Sequence, residues 1–264
     1  DRVHLPAEFV VFPPPEERLR PAITTGLGLG SSGAGALVAG LTEAIERDAT
    51  MLAWYSTFDP LGLSVDREGY ATLARRARSE GLSVSAFLLS QDVDVPVVGV
   101  VVHREEWPAF AAGSAASLDA GAAATDALAE ALQNWMELRS MGPEGATEAG
   151  GAIGRYADRP REVEGLCDLS PALAAADAGP VDPPTGGDAL DTLIERVSDA
   201  GLDAHAARLT PRDVAALEFE VVRVLLPSAQ PLFVGESYFG ERARTVPREL
   251  GFRPRLDRPF HPYP

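Results

Sequence analysis

The chain has 264 residues, enough for one large domain with its own hydrophobic core, and it carries a formal net charge of −16 with four histidines, one cysteine and no lysine. So acidic a surface repels nucleic acid and anionic lipid headgroups. A single thiol gives neither an intrachain disulfide nor a zinc-binding spacing. No apolar stretch approaches the ~20 residues of a membrane span. We therefore expect a cytoplasmic protein without nucleic-acid or membrane partners, from a halophilic, high-GC organism, since that origin explains both the missing lysine and the acidic excess.

The first half of the chain alternates between strand and helix patterns. Residues 7–12, AEFVVF, predict a strand that ends at a run of three prolines. After a glycine-rich turn, a helix is expected over residues 34–55, followed by a second helix over residues 67–81 and strands over residues 83–90 and 95–102. The buried stripe of the first helix is expected to comprise Leu37, Leu41, Ile45 and Leu52. This alternation indicates an α/β domain, with α+β packing as its variant.

The middle of the chain predicts a loop and then a long helix, within residues 113–141. Asp119 or Thr125 is the expected N-cap of this helix. Its packed side is expected to carry Leu128, Leu132, Trp135 and Met136.

The last part of the chain begins with a change in composition. Residues 158–188 are rich in Pro, Gly and Asp and predict a surface insert or linker. A helix is expected over residues 189–201, and two strands of one sheet are expected within residues 202–210 and 217–227.

The stretch Gly-Leu-Gly-Ser-Ser-Gly at 28–33 satisfies the G-x-G-x-x-G pattern of dinucleotide-binding loops. The preceding RLRPAITT is polar and contains a proline, whereas such a loop follows a buried strand, and the acids about 20 residues later, Glu46 and Asp48, fall inside the predicted helix. A P-loop requires a lysine, which the chain lacks. The pattern therefore predicts a tight turn that lets the helix pack closely.

Two predicted helices carry paired oxygen-bearing side chains. Glu43 and Glu46 are three residues apart on one helical face, with Arg47 four residues after Glu43, and Glu130 and Gln133 repeat the three-residue spacing. These residues are either a solvated acidic face with an i,i+4 ion pair, or ligands that together hold a Mg²⁺–nucleotide complex, because Mg²⁺ binds carboxylate, water and phosphate oxygens. In the second interpretation, Arg47 contacts phosphate or fixes Glu43.

Four segments, in order, resemble the YcaO family and in particular its azole-forming cyclodehydratases. They are TTGLGLGSSGAGALVAGLTEAIERDA at 24–49, AASLDAGAAATDALAEALQNWMELR at 115–139, VVRVLLPSAQPLF at 221–233, and the terminal HPYP. The resemblance implies a single YcaO-type domain over residues 1–264, with mixed sheets and packed helices, unlike Rossmann and P-loop folds. The family has an earlier Glu-x-x-Glu-Arg helix, and the chain starts at Asp1, so we expect the domain to lack its N-terminal part.

The resemblance also implies a site for ATP and Mg²⁺. Glu43, Glu46 and Glu130 would be metal ligands that link the protein to the phosphates, and Arg47 and Gln133 would complete the nucleotide site. Ser31 stands where relatives often have an asparagine near the phosphates. Gly35 is a departure, because relatives usually have an acidic residue next to the alanine that opens this helix.

The end of the chain resembles the alternating prolines that lie beside the active site in azole-forming members. Pro262 and Pro264 keep that spacing, while Phe260 stands where a further proline would be. Such an end is either a frayed terminus or a docked tail with a catalytic role, and the restricted backbone of an X-Pro-X-Pro sequence favours docking.

The implied reaction is cyclodehydration of Cys, Ser or Thr in a ribosomally made precursor peptide, as in bacteriocin biosynthesis, to a thiazoline or oxazoline after phosphorylation of the amide oxygen. Expected partners are that peptide, a ubiquitin-activating-like protein that binds its leader, a flavin dehydrogenase, and a second copy in a homodimer. Three alternatives stay open: thioamide formation, a degenerate subunit that binds peptide or partner without catalysis, and an ATP-dependent enzyme of small-molecule metabolism.

Overall fold

The computed structural model describes residues 2–14, 23–149 and 151–263 as a mixed α/β fold with two β-sheets, which confirms the predicted fold class. The strands are β1 Leu27–Gly30, β2 Leu61–Ser64, β3 Ser83–Leu88, β4 Val97–His103, β5 Phe110–Ala116, β6 Pro171–Ala174, β7 His205–Arg208 and β8 Glu220–Leu225. The smaller sheet is antiparallel with the order β1-β8-β7. The larger sheet has the order β5-β4-β3-β2-β6, in which β6 alone runs parallel to its neighbour.

Helices separate and cover the two sheets. They are α1 Ala7–Val10, α2 Gly33–Trp54, α3 Glu68–Ser79, α4 Ala120–Ala149, α5 Gly151–Tyr156, α6 Arg161–Cys167, α7 Gly186–Asp199, α8 Arg212–Ala215 and α9 Arg242–Glu249. Within α4, the chain bends at Gly142, which has a φ of 74° and precedes Pro143.

The α2 helix lies between the two sheets. Its Leu41 and Ile45 share one core with Val222 of β8 and Val101 of β4. The opposite face of the larger sheet packs against α3 and α4, where Val98, Val100 and Val102 share a second core with Leu128 and Trp135. Because both faces of β4 are covered, this strand is a continuous apolar run in the sequence.

Residues 27–30 of the glycine-rich stretch form strand β1, and the predicted turn is limited to Ser31 and Ser32, which connect β1 to α2. A Cβ atom on Gly28 would lie 1.9 Å from the backbone oxygen of Ala36, and one on Gly30 would lie 2.5 Å from the backbone nitrogen of Ala36. The glycines therefore let the backbone of α2 rest directly on β1, as the close-packing interpretation predicted. Because β1 pairs antiparallel with β8, it does not begin a parallel βαβ dinucleotide unit.

The structure confirms the long periodic elements: α2, α3, β3, β4, α7, and the adjacent pair β7 and β8. Asp119 is the N-cap, because its Oδ1 accepts a hydrogen bond from Ala122 N, whereas the Thr125 hydroxyl donates to Gly121 O inside the helix. Met136 is 58% exposed, so the prediction that it packs is wrong, and Trp135 beside it is buried.

Three predictions for short elements are wrong. The apolar run at 7–10 forms the single turn of α1, since it has no strand to pair with in the described residues and follows the extended Pro6. Strands β2 and β5 replace predicted loops, and their small residues conceal the strand pattern. Residues 161–174, within the predicted insert, contain α6 and β6 and bury Val163, since Pro and Gly are most concentrated over residues 178–188.

Across the described ranges, no helix combines the length and apolar character that crossing a bilayer requires.

We expect Gly28→Ala to destabilise the fold by about 3 kcal/mol, because the added methyl group meets backbone atoms that cannot move aside without shifting α2. Gly33→Ala is the matched control: no atom lies within 4 Å of its added methyl group, so the change should be neutral or slightly stabilising. Urea unfolding of both variants measures the difference. Equal unfolding midpoints would contradict the close contact between β1 and α2.

Candidate functional site

The acidic residues singled out in the sequence meet at β5, the edge strand of the larger sheet among the described residues. Ser114 of β5 connects two of them: its hydroxyl donates to Glu46 Oε1 over 2.6 Å, and its backbone nitrogen donates to Glu130 Oε2 over 2.7 Å. Glu46 comes from α2 on one face of the sheet and Glu130 from α4 on the other. The edge of the sheet is therefore where the two helices can bring their carboxylates together.

Glu43 joins this group from the preceding turn of α2. Its Oε2 accepts a hydrogen bond from Gly26 N at 3.0 Å, just before β1 begins. In Glu43, Glu46 and Glu130, one carboxylate oxygen is held by a hydrogen bond, and the other has no hydrogen-bond partner within the described part of the chain. This arrangement fixes each carboxylate and leaves an oxygen available to a cation.

Arg47 supplies positive charge to the carboxylate cluster, defined as Glu43, Glu46 and Glu130. Its guanidinium lies 3.5 Å from Glu46 Oε1 and 3.9 Å from Glu130 Oε1, and its side chain is 13% exposed. The i,i+4 ion pair expected with Glu43 is not formed within 4 Å, although the Arg47 charge lowers the Glu43 pKa. The long Arg47 side chain brings its guanidinium close to Glu130 of α4. The spacing of residues along α2 alone does not predict this contact.

Burial raises the pKa of all three carboxyl groups above the ordinary value of 4.5. For Glu46 the pKa rises to about 7, because loss of hydration outweighs the attraction of Arg47 and the negative charge of Glu130 adds to the rise. Glu46 is only 7% exposed, so the interpretation of this face as solvated is wrong. Three carboxylates with so little positive charge nearby favour binding of an additional cation.

The terminal segment of the chain is docked beside the cluster. Trp54 Nε1 donates to Pro259 O over 2.8 Å, and the Tyr156 hydroxyl donates to Phe260 O. Pro262 and Tyr263 are buried, and the negative charge of Glu46 raises the Tyr263 pKa further beyond the effect of burial. The frayed-terminus interpretation is therefore wrong for residues up to 263, and the predicted site residue Pro264 lies outside the described residues.

Two predicted site residues lie away from the cluster. Ser31 is exposed and precedes α2, whose first residue, Gly33, is roughly 15 Å from Glu43 along the helix axis at about 1.5 Å per residue. Gln133 is exposed on α4, whereas its neighbour Asn134 turns inward and donates to Ala112 O over 2.9 Å. The shared three-residue spacing of Glu130 and Gln133 does not bring both side chains to the sheet edge.

Arg223 of β8 is a functional candidate that the sequence analysis does not identify. It is 6% exposed, its Nη2 donates to Ile23 O over 3.0 Å, and its Nε and Nη1 are buried without hydrogen-bond partners in the described structure. Its positive charge lowers the Glu43 pKa. An arginine inside the apolar run VVRVLL was a signal available in the sequence.

Asp48 follows Glu46 and Arg47 in α2 but has a different role. Both of its oxygens accept hydrogen bonds from Arg242, at 3.1 and 2.6 Å, and the same guanidinium binds Asp92. Asp48 Oδ1 also accepts from Gln230 N over 2.6 Å. This buried, paired aspartate fixes α9 and residue 230 to α2.

The described residues hold no preformed cage in which three or more His, Cys, Asp or Glu side chains could surround a metal ion. A Mg²⁺ ion bound with a nucleotide keeps several waters and takes one or two carboxylates together with phosphate oxygens. The cluster fits that mode, since its three carboxylates each leave an oxygen available and Arg47 and Arg223 supply charge for phosphate.

Comparison with known proteins shows to which family the chain belongs. The profile of the family described as YcaO cyclodehydratase, ATP- and Mg²⁺-binding, matches residues 1–230. A heterocyclase solved in complex with substrate and cofactor is 24% identical, with a TM-score of 0.72 over 90% of this chain and 32% of its own. No curated protein sequence matches.

Two further solved structures share the fold. The heterocyclase TruD is 23% identical, with a TM-score of 0.67 over 90% of this chain and 33% of its own. YcaO from Methanopyrus kandleri, bound with AMPPCP and Mg²⁺, is 27% identical, with a TM-score of 0.63 over 84% of this chain and 60% of its own. The chain thus spans about a third of the length of the two heterocyclases.

The raised pKa of Glu46 predicts how stability depends on pH. The folded protein keeps a proton that the unfolded chain releases between pH 4.5 and about 7, so the free energy of unfolding falls as pH rises through that window. Glu46→Gln removes this titration and keeps an acceptor for Ser114. Without metal, the variant should be more stable than the native protein by about 3 kcal/mol at about pH 8 and by much less at about pH 5.

Urea unfolding at both pH values measures this difference, with Glu137→Gln, an exposed position on α4, as the control for loss of one negative charge. A stability gain in Glu46→Gln that does not change with pH would contradict the raised pKa.

Proposed function

The chain belongs to the YcaO family, and from that premise we propose that it acts as an ATP-dependent cyclodehydratase on a ribosomally made precursor peptide. The reaction closes Cys, Ser or Thr residues into thiazolines or oxazolines. The observation that carries the proposal is the carboxylate cluster at the edge of β5, in which Glu46 is buried, Glu43 and Glu130 are partly buried, and each carboxylate is anchored by one oxygen. The likeness to heterocyclases, one of them solved with substrate and cofactor, supports it.

The chemistry couples ring closure to loss of an oxygen atom. The side-chain thiol or hydroxyl of the peptide adds to the preceding amide carbonyl, and the resulting oxyanion accepts a phosphoryl group. Elimination of phosphate and a proton then leaves the C=N bond of the azoline. Bound Mg-ATP supplies the phosphoryl group, and the protein's task is to position the reactants and neutralise charge.

Each residue of the cluster has a distinct proposed role. Glu43, Glu46 and Glu130 offer their available oxygens to Mg²⁺, and Gly26 N and Ser114 hold the carboxylates in place. In this structure the Arg47 guanidinium lies near the carboxylates of Glu46 and Glu130. With the nucleotide bound, it would contact phosphate. Ser31 and Gln133, exposed in this structure, are proposed as outer contacts of the nucleotide on the strength of the family resemblance.

The docked tail is proposed to complete the site for the peptide. Pro262 and Tyr263 are buried, and the charge of Glu46 acts on Tyr263, which supports this role for the terminal segment. An X-Pro-X-Pro end loses little entropy on docking, so it can hold its last residues at a fixed distance from the reacting amide. From the family resemblance we also propose three partners: a peptide-binding protein related to ubiquitin-activating enzymes, a flavin dehydrogenase, and a second copy in a homodimer. A halophilic source and a bacteriocin-like product are proposals of the same kind.

A non-catalytic subunit is the second candidate, favoured by the exposed Gln133 and by the lack of a three-ligand metal cage in the described chain. Such a subunit would bind peptide or partner and would not bind Mg-ATP. Thioamide formation would use the same nucleotide site with an external sulfur donor, so it predicts the same ATP binding and a different product mass.

Calorimetric titration of the natural full-length protein with Mg-ATP, at high salt to screen its negative charge, tests the proposal. We expect binding that weakens at least about tenfold in Glu43→Ala and Glu130→Ala, because each removes an anchored metal ligand. Glu137→Ala, at an exposed position of α4, is the matched control and should bind normally. Absence of binding, or equal affinity in all variants, would sink the enzymatic proposal and leave the non-catalytic one.

Arg223 gives a test in which binding and stability change in opposite directions. Arg223→Met should weaken Mg-ATP binding about tenfold, by loss of one charge-assisted contact to phosphate. The same variant should make the unliganded protein about 1 kcal/mol more stable, because two buried nitrogens without partners are removed. Arg208→Met, an exposed arginine on β7 paired with Glu220, is the control for binding. A loss of stability together with unchanged ATP affinity would make Arg223 structural.

A further inference from the structure

A cavity lies at the C-terminal end of α2, beyond the carboxylate cluster. It has a volume of about 150 Å³ and is bounded by α2, the loop after it, α6 and the terminal tail. Its walls combine charged residues with aromatic and aliphatic ones, which include Trp54, Phe58, Leu89, Leu166 and Tyr263. A cavity of this size holds one side chain of a peptide and is too small for a nucleotide.

Arg258 is the cationic side chain that lines this cavity. Its guanidinium stacks 4.1 Å from the centre of the Trp54 ring, and its Nη1 donates to Trp54 O over 2.9 Å. In the described structure its Nε and Nη2 have no hydrogen-bond partner, and no carboxylate lies within 4 Å of the guanidinium. In a protein with a net charge of −16, a half-buried arginine without a carboxylate partner is unusual.

The geometry of Arg258 favours an anion of a particular kind. Stacking on Trp54 fixes the plane of the guanidinium, so its remaining N–H groups offer a fork that matches a carboxylate. Burial also lowers the pKa of Arg258, so a bound carboxylate would replace hydration that the guanidinium has lost. Asp59 and Glu162 line the cavity too, but both residues are exposed and neither forms an ion pair with Arg258.

The cavity and the carboxylate cluster are adjacent along α2. Tyr263 forms part of the cavity wall, and the same side chain is influenced by the charge of Glu46. Trp54 follows Glu46 by eight residues, which is about 12 Å along the helix axis. An extended peptide covers that distance in roughly three or four residues.

We propose that this cavity binds the carboxylate side chain of a glutamate or aspartate in the substrate peptide, roughly three or four residues from the residue that is modified. Arg258 is then a specificity-determining residue, and Trp54 and Phe58 contact the methylene groups of the bound side chain. The identity of the ligand as a peptide rests on the proposed function, whereas recognition of a carboxylate rests on the cavity itself.

The test uses the natural full-length protein and labelled synthetic peptides that contain one cysteine in a glycine-alanine background. The peptides differ in the position of a single glutamate, and matched peptides carry glutamine there. Fluorescence anisotropy measures binding, and mass spectrometry with Mg-ATP measures the loss of water. We expect glutamate at the favoured spacing to improve binding about tenfold over glutamine, which is the effect of one charge-assisted hydrogen-bonded pair.

Two variants test the cavity by different routes. Arg258→Glu should reverse the preference, so that lysine at the same position binds better than glutamate. Gly165→Leu should abolish the preference by filling the mouth of the cavity, and it removes no contact, since no atom lies within 4 Å of the added Cβ. Arg255→Glu, a more exposed arginine of the same tail that does not line the cavity, is the control and should keep the preference.

The outcomes separate this proposal from the proposed function. Loss of water that is equally efficient with glutamate and glutamine at every position would overturn the cavity proposal and leave the enzyme proposal intact. Binding that depends on glutamate and on Arg258, without any loss of water, would support the cavity and count against the enzyme. If free glutarate binds as tightly as the glutamate peptide, the cavity takes a small carboxylic acid, which also overturns the proposal.

Discussion

The direct contact between the backbones of β1 and α2 is the constraint on which the rest of the structure depends. With no Cβ atoms at Gly28 and Gly30, α2 approaches the small sheet closely enough to bring Glu43 within hydrogen-bond distance of Gly26 N. The same placement puts the other side of α2 against the larger sheet, where Glu46 reaches Ser114. A helix held farther from β1 by one methyl group would lose the position of both carboxylates.

Asp48 and Glu46 of α2 are both buried, but their carboxylates have different surroundings. Asp48 is surrounded by donors, since Arg242 and Gln230 N occupy its oxygens, and it stabilises the attachment of α9. Glu46, two residues earlier, is buried with one hydrogen bond from Ser114 and one nearby guanidinium. A buried, ionised carboxylate with incomplete pairing costs stability, and either protonation or a bound cation would reduce that cost. The fold thus keeps on one helix a fully paired structural acid and an incompletely paired acid, which we propose as a cation ligand.

The sequence predicted what depends on local periodicity and missed what depends on distant packing. The helices α2 and α4 and the strand β4 show clear patterns, and the pairing of Glu43 with Glu46 followed from helical geometry. Strand β5 consists largely of Ala, Gly and Ser, and β1 alternates Leu with Gly, so the small residues weaken the strand signal in both. Yet Ser114 of β5 and Gly26, just before β1, supply the backbone donors that hold Glu130 and Glu43. Glu130 contacts the edge of β5, whereas Gln133 is exposed. This difference depends on the position of β5, which the spacing of residues along α4 does not predict.

The distances between the parts of the proposed site are set along α2, because the terminal segment of the chain runs antiparallel to this helix. Arg255 N bonds Tyr55 O, Pro259 O accepts from Trp54, and Tyr263 lies near Glu46, so the residue numbers of the tail rise as those of α2 fall. Each contact on the tail therefore fixes how far the terminus reaches towards the carboxylates. Since Arg258 belongs to the same segment, the cavity and the terminus cannot shift independently, and a peptide side chain seated beside Arg258 would stabilise the position of the tail end next to Glu46.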